Sequence, residues 1–313
     1  MATARHVATI ATGIAFLALP APSAWAQALD IPMIVTGAHG TNTWASLNYA
    51  HQFETDIDDT ATEMERDSVQ LIAGHRFQMT DDLFLVGNIA YQGSYYDFSK
   101  NNDPAQLVWN DIHQATLMTG FGWRASENWT LVGLLLGRTS GESGADFGDT
   151  LTGGGGLAID YTWSENLSTG VVLGVMSQLE DSAAILPIPT VDWRFAEDWR
   201  FQFGIVEMAY PGVGPMISYN PGSWSFALGG SYQKRRYRLD DRLGPINEGI
   251  GQEQSFPVFF RAGFMPTPKV NLAFMVGTAL GGKIRSEQNG GARIFERSYD
   301  PALILGLQAG IRF

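Results

Sequence analysis

Stretches of about ten residues in which apolar side chains alternate with polar or small ones recur along this chain. Four of the breaks between them are variants of one cassette: His75–Phe84, Trp123–Trp129, Tyr161–Leu167 and Val191–Trp199. Each is a tight acidic turn with aromatic residues on its shoulders. Period-2 alternation gives a strand two unlike faces. Aromatic rings gathered at one end of many such strands sit where a membrane meets water, because an amphipathic ring is most stable at headgroup level. The pattern therefore predicts an all-β fold, a transmembrane antiparallel up-and-down barrel.

The first residues, Met1 to His6, are short and basic, and Val7 to Leu19 is apolar but too short to span a bilayer as a helix. Ala24-Trp25-Ala26 follows as a small-residue cleavage site. Residues 1–26 thus read as an export signal, 27–42 as an N-terminal periplasmic segment and 43–313 as the barrel. No later stretch is apolar enough for a transmembrane helix. An exported chain with no cysteine has neither disulfides nor thiolate chemistry. A formal net charge of −12 speaks against nucleic acid as a partner.

Strands are expected near 43–53, 68–78, 83–94, 108–124, 129–138, 151–163, 167–177, 186–195, 199–208, 213–220, 224–237, 252–264, 269–280 and 301–313. That makes fourteen. The segment with Pro187 and Pro189 and the short one at 213–220 are the weakest, and misreading that hairpin would leave twelve. Short connections alternate with long ones, of which 54–67, 238–251 and 281–300 stand out. This asymmetry puts both chain ends on the periplasmic side.

Six of the nine tryptophans, Trp123, Trp129, Trp163, Trp193, Trp199 and Trp224, lie beside the short turns and form the expected aromatic girdle. At the end of the chain Leu305, Leu307, Ala309, Ile311 and the terminal Phe313 share one parity. This ending resembles the signal by which barrel assembly machinery recognises Gram-negative outer-membrane β-barrel proteins. The resemblance implies an outer-membrane location, with lipid and lipopolysaccharide as surroundings. The chain also looks like barrel families of unassigned function and, less clearly, like barrels associated with aromatic-compound degradation. No motif carries functional residues over from either.

Catalytic and metal patterns are absent from the linear sequence. After the leader, histidine occurs only at His39, His51, His75 and His113, none in a hydrolase-like motif. Gly153–Gly156 lacks the Gly-Lys-Ser/Thr of a phosphate loop. Asp56, Asp58 and Asp59 resemble a calcium loop, but Ala61 stands where glycine is required. No cofactor, metal site or catalytic residue is expected.

Parity places Arg76, Arg124, Asp160, Asp192, Arg200, Arg261 and Arg312 on the lumen side near the short turns. They form either a charge ring that selects anions or a set of cross-strand ion pairs. Val132, Leu134 and Leu136 alternate with Leu131, Gly133 and Leu135, so that strand is apolar on both faces, and Met118, Met275 and Ile304 also point inward. Such a lumen is drier than that of a general porin. Lys234, Arg236 and Arg238 share parity with Phe226 and Leu228, which predicts a basic outer face toward lipopolysaccharide phosphates. The expected function is passive movement of a small apolar or anionic solute. The alternatives are a closed structural or surface-interaction barrel and, last, an outer-membrane enzyme.

Overall fold

A computed structural model describes residues 41–99, 109–206, 212–240 and 249–313. Residues 1–26, expected as an export signal, and all but the last two residues of the 27–42 segment lie outside them. Among the described residues the chain forms β1 (Asn42–Asp56), β2 (Glu63–Gln78), β3 (Leu83–Ser99), β4 (Asp111–Arg124), β5 (Trp129–Glu142), β6 (Leu151–Ser164), β7 (Leu167–Gln178) and β8 (Asp181–Trp193). There follow β9 (Trp199–Val206), β10 (Gly212–Tyr219), β11 (Trp224–Gly230), β12 (Gln233–Arg238), β13 (Ile250–Thr267), β14 (Val270–Glu287), β15 (Arg293–Tyr299) and β16 (Ala302–Arg312). The sole helical element among them is a single 3-10 turn, Phe147–Thr150.

Except for β11 with β12 and β15 with β16, consecutive strands pair antiparallel, and β16 returns to pair with β1, so the sheet closes on itself. β11 and β12 pair with successive halves of β13, and β16 and β15 with successive halves of β14. Each couple is one interrupted stave, which gives the fourteen staves expected. Closure pairs the two ends of the sheet, which shelters backbone amides from hydrocarbon.

The staves reach further toward the long-loop end than the sequence suggests. β1 runs to Asp56 and β2 begins at Glu63; β14 runs to Glu287 and β15 begins at Arg293. Two of the three long loops are therefore mostly strand. The third includes 241–248, which lies outside the described residues.

Parity separates two environments. Leu117, Leu135 and Leu307 of the outer face are 61%, 66% and 57% exposed, whereas inward Ala50, Met118, Val132 and Ile304 are each 1% exposed. Leaving one leucine in water forgoes about 1.5–3 kcal/mol, so an outer face of this kind needs lipid against it. Between Trp123 and His113 of β4 the apolar band is about 25 Å tall, at about 3.3 Å per residue and a tilt of about 40°.

Candidate functional site

At the short-turn mouth a cavity of about 570 Å³ opens between β9, β10, β11, β13, β14 and β16. Its polar lining includes Arg200, Gln202, Ser218, Arg261 and Gln308. Arg200 pairs through two nitrogens with Asp192 on the adjacent stave, as the cross-strand reading expects. Arg261 donates to Gln308 Oε1 at 2.9 Å and to Ser225 Oγ at 3.3 Å. Arg76 is buried with its guanidinium 3.7 Å from the Phe84 ring centroid, and Arg124 donates to the Asp81 carbonyl at 3.0 Å. Asp160 is half-buried on β6 and Arg312 exposed at the rim. The seven residues all stand near the short turns, with Arg76 buried, Arg124, Asp160, Asp192, Arg200 and Arg261 partly buried at the mouth, and Arg312 exposed. Only Asp192 and Arg200 are joined to each other by a described ion pair; the other five stand on β2, β4, β6, β13 and β16.

Above the mouth the interior is mixed: buried polar residues such as Asn48, Gln70, Asn88, Gln92 and Arg138 stand beside apolar clusters. Ala50, Phe259, Met275, Ala279 and Ile304 belong to one cluster. Met176, Ala184, Leu186, Ile188 and Ile205 form another beneath β7, β8 and β9. The second cluster lies behind a defect in the wall. Among the described residues β8 and β9 share the pairs Val191–Phe203, Asp192–Gln202 and Trp193–Phe201, and Gly204, Ile205 and Val206 do not pair with β8, although β8 continues to pair with β7 as far as Asp181.

Two local causes open this seam. Proline has no N–H to give, so in a sheet it stands where its nitrogen faces an unpaired edge. Pro187 and Pro189 alternate and thus share one edge of β8; because the β7 ladder is intact, that edge is the one toward β9. On the other side Gly204 has φ +140°, a conformation L side chains rarely adopt. Past it the consecutive residues Ile205 and Val206 are both buried, because β9 has turned inward from the wall.

The opposite mouth, at the long-loop end, is covered by β12. This half-stave crosses from the β13 side toward β5, where Arg238 pairs with Gly141 and Ser140 Oγ donates to the Arg236 carbonyl at 3.0 Å. Its position corrects the expectation of a lipopolysaccharide-facing basic patch: Lys234, Arg236 and Arg238 are 2%, 4% and 3% exposed. Arg236 pairs with Glu287 at 2.8 Å and Arg238 with Glu180 at 2.6 Å. The parity shared with Phe226 and Leu228 is lost at Ser231, where the stave leaves the wall and both its faces become interior. Acids distant in sequence then neutralise the cations.

The six girdle tryptophans are between 41% and 62% exposed on the outer face. The ring chains Trp129–Tyr161–Trp163 and Trp193–Phe195–Trp199–Tyr219 tie neighbouring staves together there. Leu307, Ile311 and Phe313 are exposed on the same face, as is Ala309, and the Phe313 amide donates to the Thr43 carbonyl at 2.9 Å where the barrel closes. The sequence reading missed a second girdle at the opposite boundary, made of Tyr49, Tyr91 and Tyr95 with His51 and His113. Its signal was available: these residues share the outward parity of their strands, one band above the tryptophans. A concavity of about 1060 Å³ also lies on the lipid side, where Ala45, Ala73, Ala115 and Gly137 stand among larger apolar residues.

A closed ring of antiparallel staves with an aromatic-bounded apolar exterior defines an outer-membrane β-barrel. Within that class the chain belongs to the DUF6268 family, a domain of unknown function, whose profile matches residues 53–242. Among solved structures it is similar to the COG4313 outer membrane channel from Pseudomonas putida F1, with 15% identity over 88% of this chain and 97% of that one and a TM-score of 0.51. It is likewise similar to the deltaS2 mutant of TodX, a monoaromatic hydrocarbon channel of Pseudomonas putida, with 9% identity, 88% and 91% coverage and a TM-score of 0.51. At such identities the likeness concerns the fold. No curated protein matches the sequence.

Proposed function

We propose that this chain is a passive channel of the Gram-negative outer membrane for small apolar solutes, with the seam between β8 and β9 as its lateral door to the bilayer. The observation that carries this reading is the loss of the β8 ladder at Gly204, Ile205 and Val206, beside the apolar cluster of Met176, Leu186, Ile188 and Ile205. An apolar molecule passing there exchanges one hydrocarbon surrounding for another and meets no row of paired amides. Ions are disfavoured by the same lining, and the Arg200–Asp192 pair cancels one positive and one negative charge at the mouth. The pair leaves the mouth's positive excess unchanged, so what favours an apolar solute over an anion is the apolar cluster behind the seam. The fold shared with channels for hydrophobic molecules fits this reading. Catalysis has no part in it.

The charged cover over the extracellular mouth favours a second reading, a closed barrel that serves as a structural or surface-interaction element. One experiment separates the two. A Cβ on Gly204 would lie 3.7 Å from Thr190 Cβ, within disulfide range, at the first position above the end of the ladder. Cells that depend on this protein for uptake of labelled toluene would carry Thr190→Cys/Gly204→Cys, first shown by compact mobility on an unheated gel to fold despite the strain at Gly204, with uptake in the reduced state equal to wild type. Under the channel reading, oxidation lowers uptake to that of cells without the protein and reduction restores it. Equal uptake in both redox states refutes the door. Wild-type uptake no faster than in cells without the protein refutes the channel and leaves the closed barrel.

A further inference from the structure

At the outer boundary of the apolar band, β1 and β2 place three metal-binding donors together on the lipid-facing side. The register sets His51 opposite Asp67, and Glu65 follows on the same parity. His51 Nδ1 lies 3.1 Å from Asp67 Oδ1 and 3.9 Å from Glu65 Oε1, and all three donor atoms lie within 4.8 Å of one another. Ligands about 2.0–2.2 Å from a tetrahedral cation are spaced about 3.3–3.6 Å apart, so small side-chain adjustments suffice to close around one.

The surroundings hold these donors in place. The Tyr49 hydroxyl donates to Asp67 Oδ1 at 2.6 Å, and the Phe53 ring packs edge-on against His51 with centroids 4.4 Å apart. Such outer contacts orient ligands in metal sites. Two carboxylates adjacent on one sheet face repel each other, and a divalent cation relieves that repulsion. The neighbouring staves carry a related group that lacks the third donor. There His113 Nδ1 lies 2.7 Å from the Tyr91 hydroxyl and its Nε2 3.2 Å from Asp111, so both ring nitrogens are engaged and only one carboxylate is present.

We propose that His51, Glu65 and Asp67 form a site for a divalent transition metal of the zinc type on the outer rim of the barrel. An imidazole with two carboxylates favours such a metal over magnesium or calcium, which prefer all-oxygen shells. Three protein ligands leave a fourth position for water or an anion. The sequence gives no hint of it, because the ligands come from two strands and meet only through the register.

The test is calorimetric titration of the purified, untagged barrel in detergent with zinc chloride, and separately with magnesium chloride. His51→Gln, Asp67→Asn, Tyr49→Phe and the control His113→Gln are compared with wild type, each first shown to be folded by its compact mobility on an unheated gel. One zinc ion per barrel should bind wild type and His113→Gln alike. Binding should weaken at least about tenfold in His51→Gln and Asp67→Asn, and less in Tyr49→Phe. Absence of zinc binding by wild type, binding unchanged in His51→Gln and Asp67→Asn, or magnesium binding as tight as zinc would each overturn the proposal.

Discussion

Arg66 of β2 and Glu253 of β13 meet as an ion pair inside the barrel, 1% and 2% exposed, although they come from staves on different parts of the ring. Tyr96 and Tyr299 donate to the same carboxylate at 2.6 and 3.0 Å, and Arg66 also donates to Gln52 Oε1 at 3.1 Å. This group fastens β1, β2, β3, β13 and β15 beneath the cover. Removing one charge strands the other in a dry interior, at a cost of about 3–5 kcal/mol. Glu253→Gln should therefore lower the urea midpoint of the lipid-embedded barrel sharply. Arg66→Met/Glu253→Gln should recover part of the loss.

The cover should also loosen in acid. A hydrogen bond from Arg238 holds the Glu180 carboxyl, in the turn between β7 and β8, below its usual range. A folded-state pKa below the unfolded one contributes stability that is complete above the unfolded value, about 4.3, and is lost as pH falls through the folded one. Unfolding midpoints measured from pH 7 downward should fall more steeply below about pH 4.3 in wild type than in Arg238→Met. Parallel curves would show that the pair does not stabilise the cover.

Equal exposure means different things on the two sides of the membrane boundary. Leu117 is 61% exposed within the apolar band and Phe147 is 67% exposed above it. Leu117→Arg should cost about 2–4 kcal/mol in equilibrium unfolding from liposomes. Phe147→Arg should stay within about 0.5 kcal/mol of wild type.

Glycine packs β10 tightly against β11. A Cβ on Gly214 would lie 1.9 Å from the Gly230 carbonyl oxygen, a backbone atom with no rotamer to escape into. Gly214→Ala should cost about 1–3 kcal/mol or more and lower the folded yield. Gly133→Ala, with nothing within 4 Å of the new Cβ, should fold as wild type does.

Much of this architecture can be read directly in the chain, for a physical reason. Lipid on one side and protein on the other write a period-2 pattern into each stave, and the short turns concentrate tryptophan at one boundary. Even the strand containing Pro187 and Pro189 was identifiable, because its other residues still alternate. Alternation says which residues share a face but not what medium that face meets. Lys234, Arg236 and Arg238 were thus assigned to lipopolysaccharide, although Glu180 and Glu287 neutralise Arg238 and Arg236 inside the barrel. The seam and the His51–Glu65–Asp67 group were equally hidden, since both are properties of register between strands.

β5 offers the most direct measurement, because its apolar residues lie on both faces and its sequence alone cannot assign them. Nitroxide labels placed singly from Leu131 to Leu136 in the liposome-embedded barrel should show high oxygen accessibility at Leu131, Gly133 and Leu135. They should show low accessibility to both oxygen and a water-soluble nickel complex at Val132, Leu134 and Leu136. Nickel accessibility along that second set would mean a water-filled lumen, and loss of the alternation would mean that no closed, lipid-facing barrel wall exists there.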